Sequence, residues 1–300
     1  MRRNKTLYVY LPILLISLIK VLDSTLAKKF QKNVKIDANF FILFNIYNSI
    51  IACVYFFSMG GFKIEINRKT LVFSIVYAFF VAVNHLLTFL SYSKVSVTFV
   101  SVVSTAGSII VPTVYGVVFF SEKLSIYLIV SLILLVLAVV IPSLSLLKDK
   151  NKKGGLWILL SFFFVSGILI IISKIYSVAT GVTSSNDFFL MTNVLLFIMA
   201  FVLFFIKTGC VPCKMKNLIS AFSFKEIANI GVRNIICDIS AVITIVVLKN
   251  TNLGVFTIIT YSMMLILSLI VSKYYFKEQI KKTNVISVIL AVLAIIMNSI

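Results

Sequence analysis

In 300 positions the chain has one histidine, four cysteines and nine acidic residues. Each scarcity removes a class of function. A lone histidine, His85, leaves zinc hydrolysis and a Ser-His-Asp triad short of parts. There is no His-Glu zinc motif, no pair of aspartates in a short signature, and no Gly-rich phosphate loop with its lysine. These gaps speak against an enzyme, against a nucleotide-driven pump, and against any metal or cofactor. Charged residues make up only 12% of the chain, where a soluble domain carries about a quarter. With 61% hydrophobic residues and a mean hydropathy of +1.12, too little polar surface exists to cover a water-soluble globule.

Lipid is the solvent that suits such a composition. A bilayer core of ~30 Å needs about 20 apolar residues per helix. Ten runs meet that length, at about 7–26, 39–58, 70–91, 96–119, 124–145, 155–174, 187–206, 228–248, 253–275 and 280–299. Spanning strands would be shorter and would alternate in polarity. The expectation is an all-α membrane protein crossing a bacterial plasma membrane ten times. The opening "MRRNK" and "LYVYLPILLISLI" read as the first span, because no clear small-residue cleavage site follows.

The net charge of +19 does not form one patch. Bases occur as short clusters between runs, such as "AKKFQKNVK" and "KDKNKKGG". That scatter suits lipid headgroups and topology setting rather than nucleic acid. Cys53 and Cys237 lie inside runs and read as small packing residues. Cys210 and Cys213 form "CVPC" in a loop. Zinc there would need two further ligands, so the pair reads as a turn, or as a disulfide in an oxidising compartment.

Sliding the chain on itself by 156 residues lays "FFSEKLSIYLIVSLILLVLAVV" (119–140) on "YFKEQIKKTNVISVILAVLAII" (275–296) without a gap. Phe120, Glu122, Ser131, Ile133, Leu134, Val136, Leu137 and Ala138 each meet an identical residue. Apolar identities are common between membrane helices; Phe-x-Glu at the same joint is not. Each half then holds five runs, over 1–145 and 155–300, with 146–154 as a basic linker. An odd number of spans per half inverts the second half, the architecture of many secondary transporters. Ser121 is expected to cap the fifth helix, with Glu122 beside its N-terminal dipole. Glu122 and Glu278 therefore read as structural.

Five plus five runs, and "YSKVSVTFVSVVSTAGSIIVPTVYGVVFFSEKL" with Pro112 before its Phe-x-Glu, resemble the drug/metabolite transporter superfamily of EamA type. The second half departs from that pattern, with Ser268 where a proline is expected. The resemblance implies a transporter of amino acids, sugars, drugs or lipid-linked precursors, with both termini in the cytoplasm. The loop charges point the other way, since the side opposite the termini is richer in bases.

Ionisable residues inside spans are costly and mark cavities or partners. Asp23 and Asp238 are the acids within runs; Lys20 and Arg233 are the bases clearly inside. Lys20 and Asp23, three apart, are expected to pair, or to serve as a proton or cation site. Arg233 joins them as a coupling or headgroup-anchoring residue, and Asp238 reads as a substrate or proton ligand. "VNHLLTF" places Asn84, His85 and Thr88 in the third run. "FNIYNS" places Asn45 and Asn48 in the second, as substrate contacts or interhelical amides. Ser104 of the fourth run and Thr260 of the ninth are equivalents under the offset, with Tyr261 beside the latter. One such pair is expected to line a cavity. The functional expectation is secondary transport of a small polar, amino-acid-like metabolite, with membrane lipid as the other partner. Its rival is a flippase for a lipid-linked sugar or phosphate. The oligomeric state stays open.

Overall fold

A computed structural model describes residues 2–31, 38–94, 97–122, 125–147, 156–209, 224–275 and 282–299. Among them there are ten helices and no strand. They are α1 (Arg2–Gln31), α2 (Ala38–Met59), α3 (Arg68–Lys94), α4 (Val97–Phe119) and α5 (Ile126–Leu147). After them come α6 (Leu156–Val178), α7 (Ser185–Thr208), α8 (Phe224–Asn250), α9 (Leu253–Tyr274) and α10 (Lys282–Ser299). Each coincides with one of the ten apolar runs. Five contain stretches long and apolar enough to cross a membrane: Phe40–Met59, Arg68–Thr88, Trp157–Val178, Ser185–Thr208 and Ile227–Asn250. Their outer faces match that solvent. Along α7 alone, Val194, Ile198, Phe201, Val202, Leu203 and Ile206 are exposed, a stripe that water would penalise.

Helices are the economical answer, because in lipid each backbone polar group must be satisfied within the segment. Hydroxyls in these helices obey the same rule. Ser17 donates to the Ile13 carbonyl, Thr113 to Ile109, Ser173 to Leu169 and Thr192 to Phe188, all at 2.7–2.9 Å. A serine bonded back one turn costs the helix little and leaves the outer face apolar.

The chain forms two compact units, each drawing on both sequence halves. One comprises Met1–Leu22, Leu90–Val178 and Ile243–Ile300; the other comprises Asp23–Phe89 and Ala179–Val242. In the first, α4 packs on α6, α5 on α10, and α9 on both α4 and α10. In a bilayer, whose tails are as apolar as leucine, such contacts would rest on close packing and hydrogen bonds rather than on expulsion of water. At the α4–α6 contact, a Cβ added to Gly107 would lie 2.6 Å from the Phe163 carbonyl carbon. One added to Gly167 would lie 2.7 Å from the Gly107 carbonyl oxygen. Ser104 and Ser166 share a hydrogen bond of 3.1 Å at the same contact. Between α5 and α10, Ser131 donates to the Ala294 carbonyl at 3.0 Å. Between α4 and α9, Thr113 and Thr257 lie 3.3 Å apart.

In the second unit α2 packs on α7. Phe56 stacks on Phe189 with centroids 5.3 Å apart, and Ser74 of α3 donates to the Phe188 carbonyl of α7 at 3.1 Å. Helix α7 opens on a capping box. The Ser184 hydroxyl accepts from the Asp187 backbone N–H, and the Asp187 carboxylate accepts from the Ser184 N–H. Ser-x-x-Asp before an apolar run is the signal that announces it.

Helix starts carry the internal register. The starts of α8 and α3 differ by 224 − 68 = 156, those of α9 and α4 by 253 − 97 = 156, and those of α10 and α5 by 282 − 126 = 156.

The joint between α4 and α5 differs from expectation in two ways. Ser121 is exposed and holds a φ of +51°, and it caps nothing. The cap of α5 is Ser125, whose hydroxyl accepts from the Leu128 N–H at 3.2 Å. Glu122 serves a helix distant in sequence: its carboxylate accepts from the N–H groups of Leu253 and Gly254, at 2.7 and 3.3 Å. These are orphan donors of the first turn of α9, where a negative charge also meets the helix dipole. Glu278 lies outside the described residues, as do Cys210, Cys213 and the linker 148–154.

Lys174, near the end of α6, completes the joint. It is only 7% exposed, and its Nζ donates to the Leu248 and Thr251 carbonyls, each at 2.7 Å. So the turn between α8 and α9 is held from both sides, its last carbonyls by a lysine and its first amides by a glutamate. Bonds to charged groups contribute about 1.5–3 kcal/mol each. Lys174→Met should therefore lower the thermal midpoint of the detergent-purified protein by several degrees. It should also speed hydrogen exchange across 248–254 more than elsewhere. Unchanged exchange in that segment would deny the clamp.

Candidate functional site

Helix α8 is the organising element of the second unit. Its residues 233, 234, 237, 238 and 240 fall close to one side, since positions three and four apart share a face. Arg233, Asn234, Cys237, Asp238 and Ser240 are thus collected there, and Gly231 brings that face against α2. A Cβ at Gly231 would meet Ile51 at 3.2 Å.

The charged pair at this site is not the expected one. Asp23 is taken by Arg233, whose Nε and Nη2 both donate to the carboxylate, the latter at 3.4 Å. The two side chains are about one-quarter exposed. Lys20, in the other unit, donates to the Tyr261 hydroxyl at 3.0 Å and lies over that ring. Sequence spacing misses this exchange of partners because a three-residue separation states which face is shared. It says nothing of a guanidinium offered by another helix, which binds a carboxylate through two donors.

Phe44 of α2 joins the ion pair to the histidine. The Arg233 guanidinium lies 5.8 Å from the Phe44 ring centre, and the His85 imidazole meets the same ring edge-on at 5.6 Å. His85 Nδ1 is 2.8 Å from Asn45 Oδ1. Asn45 Nδ2 donates to the Phe41 carbonyl at 2.8 Å. The amide is thereby oriented, and its oxygen must accept from His85. A neutral His85 then carries its proton on Nδ1 and a lone pair on Nε2.

One turn further along α2, the Asn48 carbonyl accepts from Asn234 Nδ2 at 2.8 Å. Asp238 follows Asn234 by one turn on the same face, within electrostatic reach of Cys53 and Tyr55 of α2. Its Oδ2 is sealed from solvent and has no hydrogen-bond partner. A buried carboxylate oxygen left unmatched is costly unless a ligand or proton completes it. Of the expected site residues, Asp23, Asn45, His85 and Arg233 are therefore brought together, while Asn48 and Asp238 lie further along α2 and α8. Asn84 is in the same unit, its carbonyl accepting from Thr88 at 2.7 Å.

Lys20, Ser104, Thr260 and Tyr261 belong to the first unit. The Thr260 carbonyl accepts from Ser17 at 3.0 Å, and its own hydroxyl is buried without a partner. Ser104 is engaged with Ser166 in the α4–α6 contact, so it serves packing there. A cavity lining α4 and α5, of about 210 Å³, is wholly apolar, bounded by Ile110, Val114, Leu132, Ile133, Val136 and Leu137. Cys53 and Cys237 are free thiols, partly buried. Among the described residues no group of three or more His, Cys, Asp or Glu side chains is disposed to hold a metal ion.

No protein-family model matches the chain, and no curated protein matches it. Solved structures do. One, described only as "Crystal structure of protein", superposes with a TM-score of 0.67 at 12% identity, over 100% of this chain and 98% of that one. It is among 28 matching chains. At that identity the likeness is one of fold. The chemistry has to be read from the side chains themselves.

Proposed function

We propose that the protein is a secondary transporter of the drug/metabolite transporter type, EamA-like. Its ten helices would span the membrane as two inverted five-helix repeats, 1–145 and 155–300. The cargo is a small polar metabolite, amino-acid-like, moved by alternating access between the repeats. The observation that carries this reading is the shared offset of 156 residues between the starts of α3, α4, α5 and those of α8, α9, α10. Packing supports it: α2 meets α7, α4 meets α9 and α5 meets α10, each helix meeting the one five places on. Inverted repeats with polar groups inside otherwise apolar helices are the pattern of carriers that bind near the midplane. The cluster of Asp23, Asn45, His85, Arg233 and Asp238 supplies such groups in one unit.

The flippase reading is weaker. A lipid-linked phosphate would require uncommitted buried bases. Arg233 is engaged with Asp23, Lys174 with two carbonyls and Lys20 with Tyr261.

The test is growth. A strain deleted for the gene should change its sensitivity to at least one class among amino acids, amines, sugars and toxic cations, and a plasmid copy should restore it. Indifference to every class, with accumulation of a lipid-linked intermediate, would favour the flippase.

A further inference from the structure

We infer that the polar cluster of the second unit recognises its solute through a protonated amine, so that the cargo is a cation or a zwitterion held by its ammonium group. This rests on the transporter reading and narrows it.

Arg233 directs Nε and Nη2 at Asp23. Asn234 Nδ2 is spent on the Asn48 carbonyl, Asn45 Nδ2 on the Phe41 carbonyl, and His85 Nδ1 lies against Asn45 Oδ1. The unmatched group is an acceptor: Asp238 Oδ2 is sealed from solvent and accepts from nothing.

Charge points the same way. Arg233 is balanced by Asp23, so a carboxylate or phosphate reaching Asp238 would meet another carboxyl group rather than an unpaired base. An ammonium group would complete the unmatched oxygen with a charge-assisted hydrogen bond, the strong kind. The chain's +19 is carried mainly between the apolar runs and does not alter this local balance.

The experiment uses the full-length protein purified in detergent, with thermal unfolding as readout. The probes are n-butylammonium chloride, sodium butyrate and n-butanol at matched concentration and ionic strength. A ligand that binds the folded state raises the midpoint. The expected result is a dose-dependent rise with n-butylammonium alone, lost in Asp238→Asn and kept in Asp238→Glu. Size-exclusion profiles verify that both variants fold. A rise with butyrate that equals or exceeds that with the amine overturns the inference. So does the absence of any rise, or an amine response that survives Asp238→Asn. Each of these leaves the transporter reading to the growth test, which depends on no assumption about cargo charge.

Discussion

Gly107→Leu is expected to remove the folded protein altogether. The position has no room even for a methyl group, since a Cβ there would lie 2.6 and 2.8 Å from the Phe163 carbonyl carbon and Cα. The obstacle is backbone, which cannot rotate aside as a side-chain tip does. Ordinary overpacking costs about 1–3 kcal/mol; here α4 and α6 would have to separate. Separation would also break the Ser104–Ser166 bond and unseat Gly167 from the Gly107 carbonyl. In lipid no gain from expelled water compensates for lost packing. Fluorescence-detected size exclusion of a tagged protein should show loss of the monodisperse peak. Gly231→Ala is the comparison, because its Cβ meets only the flexible end of Ile51 at 3.2 Å, and it should retain the peak. Wild-type behaviour of Gly107→Leu would mean that the α4–α6 contact is not as described.

The second large effect is functional. Asp238→Asn should abolish complementation of the deletion strain while the protein still reaches the membrane in normal amount. The exchange keeps the shape and removes the charge. Asp238 Oδ2 forms no hydrogen bond within the protein, so folding has little to lose. This distinguishes it from Asp23→Asn, which would leave Arg233 without its counter-ion in a partly buried place and so weaken the fold as well. Membrane fractions probed for the tag separate the two cases. Full complementation by Asp238→Asn would take that residue out of the mechanism.

The ten helices were legible because apolar length is a strong signal when lipid is the solvent, and the register of 156 because Phe-x-Glu recurs at a joint. The polar residues inside the helices were legible and their pairings obscure. Asp238, His85 and Asn45 stand out as polar residues inside apolar runs. That Asp23 pairs with Arg233 rather than Lys20 depends on helix packing, which a one-dimensional spacing rule does not encode. Glu122 shows the same limit. Its expected place was beside the N-terminal dipole of α5, yet the amides it accepts from open a helix 131 residues away, at Leu253. Lys174 is a charge at the end of an apolar run, and spacing alone does not show that its amine reaches carbonyls at the end of another helix. Ser121 and Ser125 are the same residue type, and a φ of +51° takes Ser121 out of the extended geometry that a capping residue needs.

Whether the two halves are inverted copies is decided by the side of the membrane on which their equivalent turns lie. Single cysteines placed at Ser121 and at the position 156 residues later, Lys277, in a chain freed of its four native cysteines, can be labelled in intact cells with a membrane-impermeant maleimide. Equivalent turns of inverted repeats lie on opposite sides of the membrane, so one of the two should label and the other only after permeabilisation. If both label, or both require permeabilisation, the halves run the same way and the account is wrong.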